Sequence, residues 1–175
     1  MEINPNQLEL FDKEDWQILL EADEYFKYLQ KPNKAFSDMP VCPFLKSEIE
    51  KDNLYVDIWK PDKRSLYELF DEFVNSKKGS ALFVCMDTKD IKWKDVERTK
   101  YQKFLQNAIK DTGLKALCLS PYEDFTAAGE ATRKKAPYFL INIADRKHFS
   151  ESHKKLVDTK YFANFSEKEK KKLKV

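Results

Sequence analysis

The feature that most constrains this chain is an alternation of short apolar runs with segments of helical periodicity across its middle. Each apolar run has the length and composition of a buried strand. Each intervening segment spaces its apolar residues three and four positions apart, which indicates one buried helix face. Strand–helix–strand connections normally join parallel neighbours, so this order predicts a parallel sheet with helices against it. In chain order, the runs and helical segments occupy 54–59, 66–74, 81–86, about 95–111 and 114–119.

A fourth strand is predicted at 138–144, after an irregular stretch over 120–137. The pattern does not set its direction, and we expect an antiparallel strand at an edge. An N-terminal helix, capped by Asp12 or Asp15, ends before Pro32. The expected fold class is therefore α/β: a single domain of about four mostly parallel strands, with packed helices and an N-terminal helix strapped across.

The domain organisation follows from the length and from the positions of these elements. A chain of 175 residues suits one domain rather than two. We assign 1–53 to the N-terminal helix and a Cys-Pro-Phe loop of the same domain, 54–160 to the α/β core, and 161–175 to a polar basic tail. A last helix is expected at about 150–158, near the end of the core.

Composition excludes several classes of protein. No apolar run approaches the ~20 residues of a membrane span, and the first five residues do not form a signal peptide, so we expect a cytoplasmic protein with no membrane contact. The three cysteines form neither a disulfide framework nor a CxxC site, and the two histidines are not spaced as a metal pair. The three glycines cannot form a P-loop or a Rossmann fingerprint. We assign no metal ligands, and the sequence identifies no cofactor.

The charge of the chain is balanced, with 32 basic residues against 30 acidic ones. Only four of the basic residues are arginine, whose forked guanidinium reads phosphates and bases better than lysine does. We interpret the lysines mainly as solvated surface. The composition therefore argues against nucleic acid as a partner.

Candidate site residues lie where the predicted strands end. Ligands in open α/β sheets bind outside the carboxyl ends of the strands, and a loop as long as 120–137 is more often functional than filler. The charged and aromatic side chains there could bind a small anion. The alternative is an exposed loop whose charges pair weakly with each other and with water. The predicted ligand-binding residues are Arg133, Tyr122, Tyr138, Asn142 and Asp87.

Asn142 interrupts an otherwise apolar strand. A buried amide needs hydrogen-bond partners, so Asn142 either contacts a ligand, faces solvent on an edge strand, or ties down a loop. The sequence alone does not decide between these three roles of Asn142.

Cys42 is the one cysteine outside an apolar run, and Pro43 holds it in an extended conformation. A nucleophilic thiol needs a nearby cation or helix N-terminus, and Lys46 and a short helix beginning near Phe44 could supply these. Asp124 or Asp87 would then accept the proton. The alternative is a small apolar residue that packs the loop onto the sheet.

Three stretches together resemble the bacterial domain-of-unknown-function family numbered 1415. The resemblance spans roughly residues 40–157, and at two positions where the family has histidine this chain has Ser120 and Asn142. It therefore implies no histidine chemistry, and since the family is uncharacterised it implies no reaction. The stretches are Cys42-Pro-Phe44, Leu119-Ser-Pro-Tyr-Glu-Asp-Phe-Thr-Ala-Ala-Gly129 and Ala136-Pro-Tyr-Phe-Leu-Ile-Asn142.

The sequence predicts binding of a small anionic ligand at the carboxyl ends of the strands, and leaves open a cysteine-dependent enzyme with Cys42 and Asp124 as catalytic residues. The alternative is a non-catalytic interaction protein. In that case the aromatic N-terminal helix and the lysine-rich tail would contact a partner protein or a nucleic acid, and aromatic residues dominate binding hot spots.

Overall fold

A computed structural model describes residues 12–123, 126–127, 130–131 and 135–173 of the chain. Capping side chains fix the first ends of several helices, and Asp12 is the cap of the first one. The helices are α1 (Lys13–Leu29), α2 (Leu45–Glu50), α3 (Leu66–Ser76), α4 (Arg98–Ala108), α5 (Arg146–Val157) and α6 (Glu167–Leu173). The strands are β1 (Pro32–Asn33), β2 (Met39–Pro40), β3 (Leu54–Trp59), β4 (Ser80–Cys85), β5 (Leu114–Leu119), β6 (Thr126–Ala127), β7 (Glu130–Ala131) and β8 (Phe139–Asp145).

The main sheet has four strands in the order β3-β4-β8-β5, and two short antiparallel pairs, β1-β2 and β6-β7, lie outside it. β3 and β4 are parallel, whereas β8 is antiparallel to both β4 and β5. The chain is therefore mixed α/β, as its alternation predicted, but the expectation of a mostly parallel sheet is wrong. β8 is antiparallel as expected, yet it lies inside the sheet rather than at its edge.

The position of β8 follows from its sequence and from the turn before it. Phe139, Ile141 and Ile143 face one side of the sheet while Leu140 faces the other, and all four are buried, so the strand needs cover on both faces. The antiparallel pair β6-β7 lies between β5 and β8, where the chain reverses direction. The returning strand then fills the place between β4 and β5.

Helices cover both faces of the sheet. On one face, α3 and α4 pack over the aromatic and aliphatic side chains of β4 and β8, with Leu69 and Leu105 at the centre. On the other face, α1 packs over Leu82, Val84 and Leu140. The N-terminal helix is therefore part of the main core.

A third apolar cluster joins the segment after α1 to the end of the chain. Phe36 packs against Tyr161 and Phe165, with ring centroids 4.7 and 5.7 Å apart, and Leu156 of α5 completes the cluster. The Tyr161 hydroxyl donates to the carbonyl of Val41 at 2.7 Å. The range predicted as a polar tail thus begins with buried aromatic rings.

The β5 edge of the sheet is closed by side chains of neighbouring elements. The outward N–H groups of Ala116 and Cys118 donate to the side-chain oxygens of Gln106 and Gln102, at 3.1 and 2.9 Å. Edge strands with open backbone groups invite pairing with other chains, and these glutamines prevent it here.

In the described part of the chain, no helix combines the length and apolar character needed to cross a membrane.

Candidate functional site

The ends of the strands meet at two opposite edges of the main sheet. In the register of the strands, Trp59 pairs with Cys85, Cys85 with Phe139, and Leu119 with Leu140. The carboxyl ends of β3, β4 and β5 and the start of β8 therefore share one edge, which we call the carboxyl edge. The opposite ends form the amino edge. The segments 60–64, 86–92, 120–123 and 135–138 lie at the carboxyl edge, as the sequence predicts.

A carboxylate is bound at the carboxyl edge by Arg98. The Nε of Arg98 donates to Oε2 of Glu123 at 2.8 Å, and the Arg98 backbone N–H donates to the other carboxylate oxygen at 3.3 Å. Glu97, which precedes α4, makes no capping hydrogen bond with its side chain, so Glu123 takes that place. A charged guanidinium and an aligned N–H both favour an anion here. Both side chains are about a third exposed and can exchange partners with solvent.

A second cation, Lys60, follows β3 at the same edge. Its Nζ lies 2.6 Å from Oδ1 of the buried Asp15 and 4.0 Å from Oδ2 of Asp12. The hydrogen bond to Asp15 raises the pKa of Lys60. Lys60 thereby attaches the start of α1 to the end of β3, and it also adds positive charge to the edge.

Asp87, one of the predicted ligand-binding residues, lies after β4. Its Oδ1 accepts a hydrogen bond from the Trp93 N–H at 2.9 Å, and its Oδ2 lies 3.7 Å from Nζ of Lys92. Asp87 is exposed, but one oxygen holds the 87–93 loop in place. Its other oxygen faces the Lys92 ammonium group.

The predicted tyrosines take different places at the carboxyl edge. Tyr122 is 56% exposed, and its N–H donates to Oγ of the buried Ser120 at 3.1 Å. Tyr138 donates its hydroxyl to Oε2 of Glu21 on α1 at 2.6 Å. Burial and this carboxylate raise the pKa of Tyr138, while the same hydrogen bond lowers the pKa of Glu21. Tyr122 is thus open to solvent, and Tyr138 links β8 to α1.

Asn142 lies in the middle of β8, away from both edges. It pairs in register with Leu82 and Leu117, and its Nδ2 donates to the Ala81 carbonyl at 3.3 Å. The amide is therefore used within the sheet. The structure does not bring it together with the residues of the carboxyl edge.

Cys42 lies at the far end of α1 from Lys60. Its N–H donates to the Leu29 carbonyl at 3.0 Å, at the last residue of a helix about 25 Å long. Lys46, the expected cationic neighbour, pairs instead with Glu50. Burial, with the charge of Glu48 adding to it, raises the pKa of the Cys42 thiol, which is opposite to what a nucleophile needs. The structure does not place Cys42 with Asp87.

Two predicted residues, Asp124 and Arg133, lie outside the described residues. The structure instead adds Arg98 and Lys60 to the carboxyl edge, and neither was predicted as a site residue. Arg98 is one of only four arginines, and it opens a helix, which is the one sequence signal that could have found it. Lys60 follows a strand directly, but so do many solvated lysines.

A buried polar cluster at the amino edge was also missed. The carboxylate of Glu48 on α2 accepts hydrogen bonds from Asn53 Nδ2 at 2.5 Å and Ser80 Oγ at 3.4 Å, and its other oxygen lies 3.1 Å from Nε2 of His148. Gly79 packs so closely that an added Cβ would lie 2.5 Å from Asn53 Nδ2. Both oxygens of the Glu48 carboxylate have partners within this cluster, which is typical of a structural network.

Comparison with known proteins leaves the family of the chain open. No protein-family model, curated protein or solved structure matches it. The resemblance to the family numbered 1415 therefore stays a prediction.

Among residues 12–123 and 135–173, no group of three acidic, cysteine or histidine side chains is arranged to hold a metal ion.

Proposed function

We propose that the chain binds a small anionic ligand, a carboxylate or a phosphate, at the carboxyl edge of its sheet. The observation that carries this proposal is the Arg98–Glu123 contact, in which the edge binds a carboxylate of its own chain. A ligand anion takes the place of the Glu123 carboxylate on the Arg98 guanidinium and N–H. Tyr122, which is exposed beside Glu123, contacts the ligand from the loop side.

The positive charge that a ligand would meet at this position comes from Arg98. Lys60, the other cation at the edge, is already paired with Asp15 and Asp12. Because the Arg98–Glu123 pair is partly exposed, separating it costs at most about 1 kcal/mol, which a second anion can offset.

A cysteine-dependent reaction is not part of this proposal, because the raised pKa of Cys42 and its place at the far end of α1 give it no support. The interaction-protein alternative also loses part of its basis. Tyr25 and Phe26 of the aromatic N-terminal helix are each only 2% exposed, because they pack in the core. They are not available to a partner.

Calorimetric titration with malonate and with inorganic phosphate tests the proposal. We expect saturable binding to the wild-type chain, and its loss in Arg98→Gln. Glu123→Gln removes the competing charge, so it should tighten binding by up to about fivefold, the equivalent of ~1 kcal/mol. Lys100→Gln is the matched control, since it removes an exposed charge from the same turn of α4, and it should bind as the wild type does. Equal affinities in all four proteins, or no binding to any, would overturn the proposal.

A further inference from the structure

The outer surface of α3 exposes apolar side chains beside negative charge. Tyr67 and Val74 are 80% and 59% exposed, and Asp71 lies on the same stripe because the three residues are four and three positions apart. α3 contains no lysine or arginine. We call Tyr67, Asp71 and Val74 the acidic ridge. An exposed aromatic ring at this spacing is typical of a helix that docks into a partner.

A second surface, formed by β5 and α5, exposes apolar side chains beside positive charge. Leu117 and Val157 are 40% and 45% exposed. Lys154 precedes Val157 by one helical turn, and Lys115 extends from β5 with its Nζ 3.7 Å from the ring centre of Phe149. We call these residues the basic face, namely Lys115, Leu117, Lys154 and Val157.

Among the described residues, neither Lys115 nor Lys154 is held in an ion pair. Glu151 and Asp158 lie three positions before and four positions after Lys154, within reach of it but not paired with it. Lysines on other helices do pair, as Lys27 does with Asp23 at 3.0 Å. Burial, and secondarily the nearby Arg146, lower the pKa of Lys115.

The two surfaces lie on opposite sides of the sheet. α3 packs on the side to which Ala116 and Cys118 of β5 point. Alternate residues of a strand face opposite sides, so Lys115 and Leu117 point the other way. The acidic ridge and the basic face therefore cannot meet within one molecule.

We infer that a second copy of this chain seats its acidic ridge on the basic face. Each surface offers two exposed apolar side chains, and their charges are opposite, as in complementary halves of an interface. The contact is head-to-tail, since it joins two different patches. It leaves one ridge and one basic face free at the ends, so further copies can add in succession.

Sedimentation velocity of the full chain, from micromolar to submillimolar concentration and at low and high salt, tests this inference. We expect reversible self-association that salt weakens, because screening reduces the attraction between the two surfaces. Asp71→Lys and Lys154→Glu should each raise the dissociation constant about tenfold. The double variant D71K/K154E should restore association, because the two reversed charges attract again across the contact. Lys103→Glu, an exposed reversal on α4, is the matched control and should associate as the wild type does.

Three results would overturn the inference. The first is a wild-type chain that stays monomeric at submillimolar concentration and low salt. The second is a double variant that associates no better than either single variant. The third is a chain that remains monomeric but binds a short single-stranded oligonucleotide through Lys154, which would make the basic face a nucleic-acid surface. The proposed anion site at Arg98 is not part of this contact, so the result of the anion-binding test does not bear on these outcomes.

Discussion

The two edges of the main sheet both carry polar clusters, but the clusters differ in how their groups are used. At the amino edge, the Glu48 carboxylate is almost buried and holds three partners from three parts of the chain. At the carboxyl edge, Arg98 holds a single carboxylate that is about a third exposed. A buried, fully partnered network stabilises a fold, whereas an exposed pair can exchange one anion for another. The proposed anion site therefore lies at the carboxyl edge, and the polar cluster at the amino edge is better explained as structural support.

The largest effect is expected at the amino edge. Glu48→Ala removes the main partner of the half-buried Asn53 amide and one of the two acceptors of the buried Ser80 hydroxyl, and unsatisfied buried donors are costly. We predict a loss of about 3 kcal/mol in the free energy of unfolding, measured by urea denaturation. Glu50→Ala on the same helix removes only an exposed pair with Lys46, and it should cost less than about 0.5 kcal/mol. Equal stability of the two variants would show that the amino edge is no more structural than the surface.

An intermediate effect concerns the reactivity of Cys42, which lies toward the amino edge. Because burial raises the pKa of this thiol, we predict that at neutral pH it alkylates more slowly than the same cysteine in the denatured chain. Iodoacetamide labelling across a pH series, read by peptide mass spectrometry, measures this. The denatured chain provides the reference rate. An apparent pKa of Cys42 below about 8.5 would contradict its predicted low reactivity and would support a cysteine-dependent reaction.

The smallest effect is expected at the Tyr138–Glu21 contact near the carboxyl edge. Its hydrogen bond lowers the pKa of Glu21, so its contribution is present above the unfolded pKa of this group and is lost as the pH falls through the folded pKa. Tyr138→Phe should raise the Glu21 pKa toward its ordinary value, followed by carboxyl ¹³C NMR titration. Gln17→Ala, which removes the weaker second hydrogen bond, should raise it less. An unchanged Glu21 pKa in Tyr138→Phe would show that this contact is not formed in solution.

Local signals in the sequence predicted the elements well. The runs 54–59 and 114–119 match β3 and β5, and the helical segment predicted at 66–74 lies within α3, which the Ser65–Glu68 capping box begins. These elements are set by residues a few positions apart. A sequence pattern carries such information directly.

The position of β8 in the sheet could not be predicted in the same way, because it depends on how the chain reverses over the segment 120–138. Asn142, for which the sequence left a ligand contact, an edge position and a loop contact open, instead donates to the Ala81 carbonyl inside the sheet. The apolar residues on both sides of Asn142 are the better signal, because a strand that needs cover on both faces is central. For the position of this strand in the sheet, the pattern of apolar residues is therefore a better guide than one polar residue.

The sequence indicated the edge at which we propose the site, but not the residues that form it. The rule that ligands lie at the carboxyl ends of strands pointed to the carboxyl edge. It could not find Arg98, whose contact with Glu123 joins residues 25 positions apart. Nor could it find Glu48, because a 100-residue separation from His148 leaves no local trace.

The most direct test of the central claim is a titration of the ¹⁵N-labelled full chain with inorganic phosphate, followed by NMR. The account predicts saturable shifts at the Arg98 backbone N–H and at its Nε–H, together with the backbone N–H of Glu123. The Asn53 side-chain amide at the amino edge should not move. Shifts that never saturate at Arg98, or that saturate only at the amino edge, would contradict the claim that this protein binds an anion at the carboxyl edge.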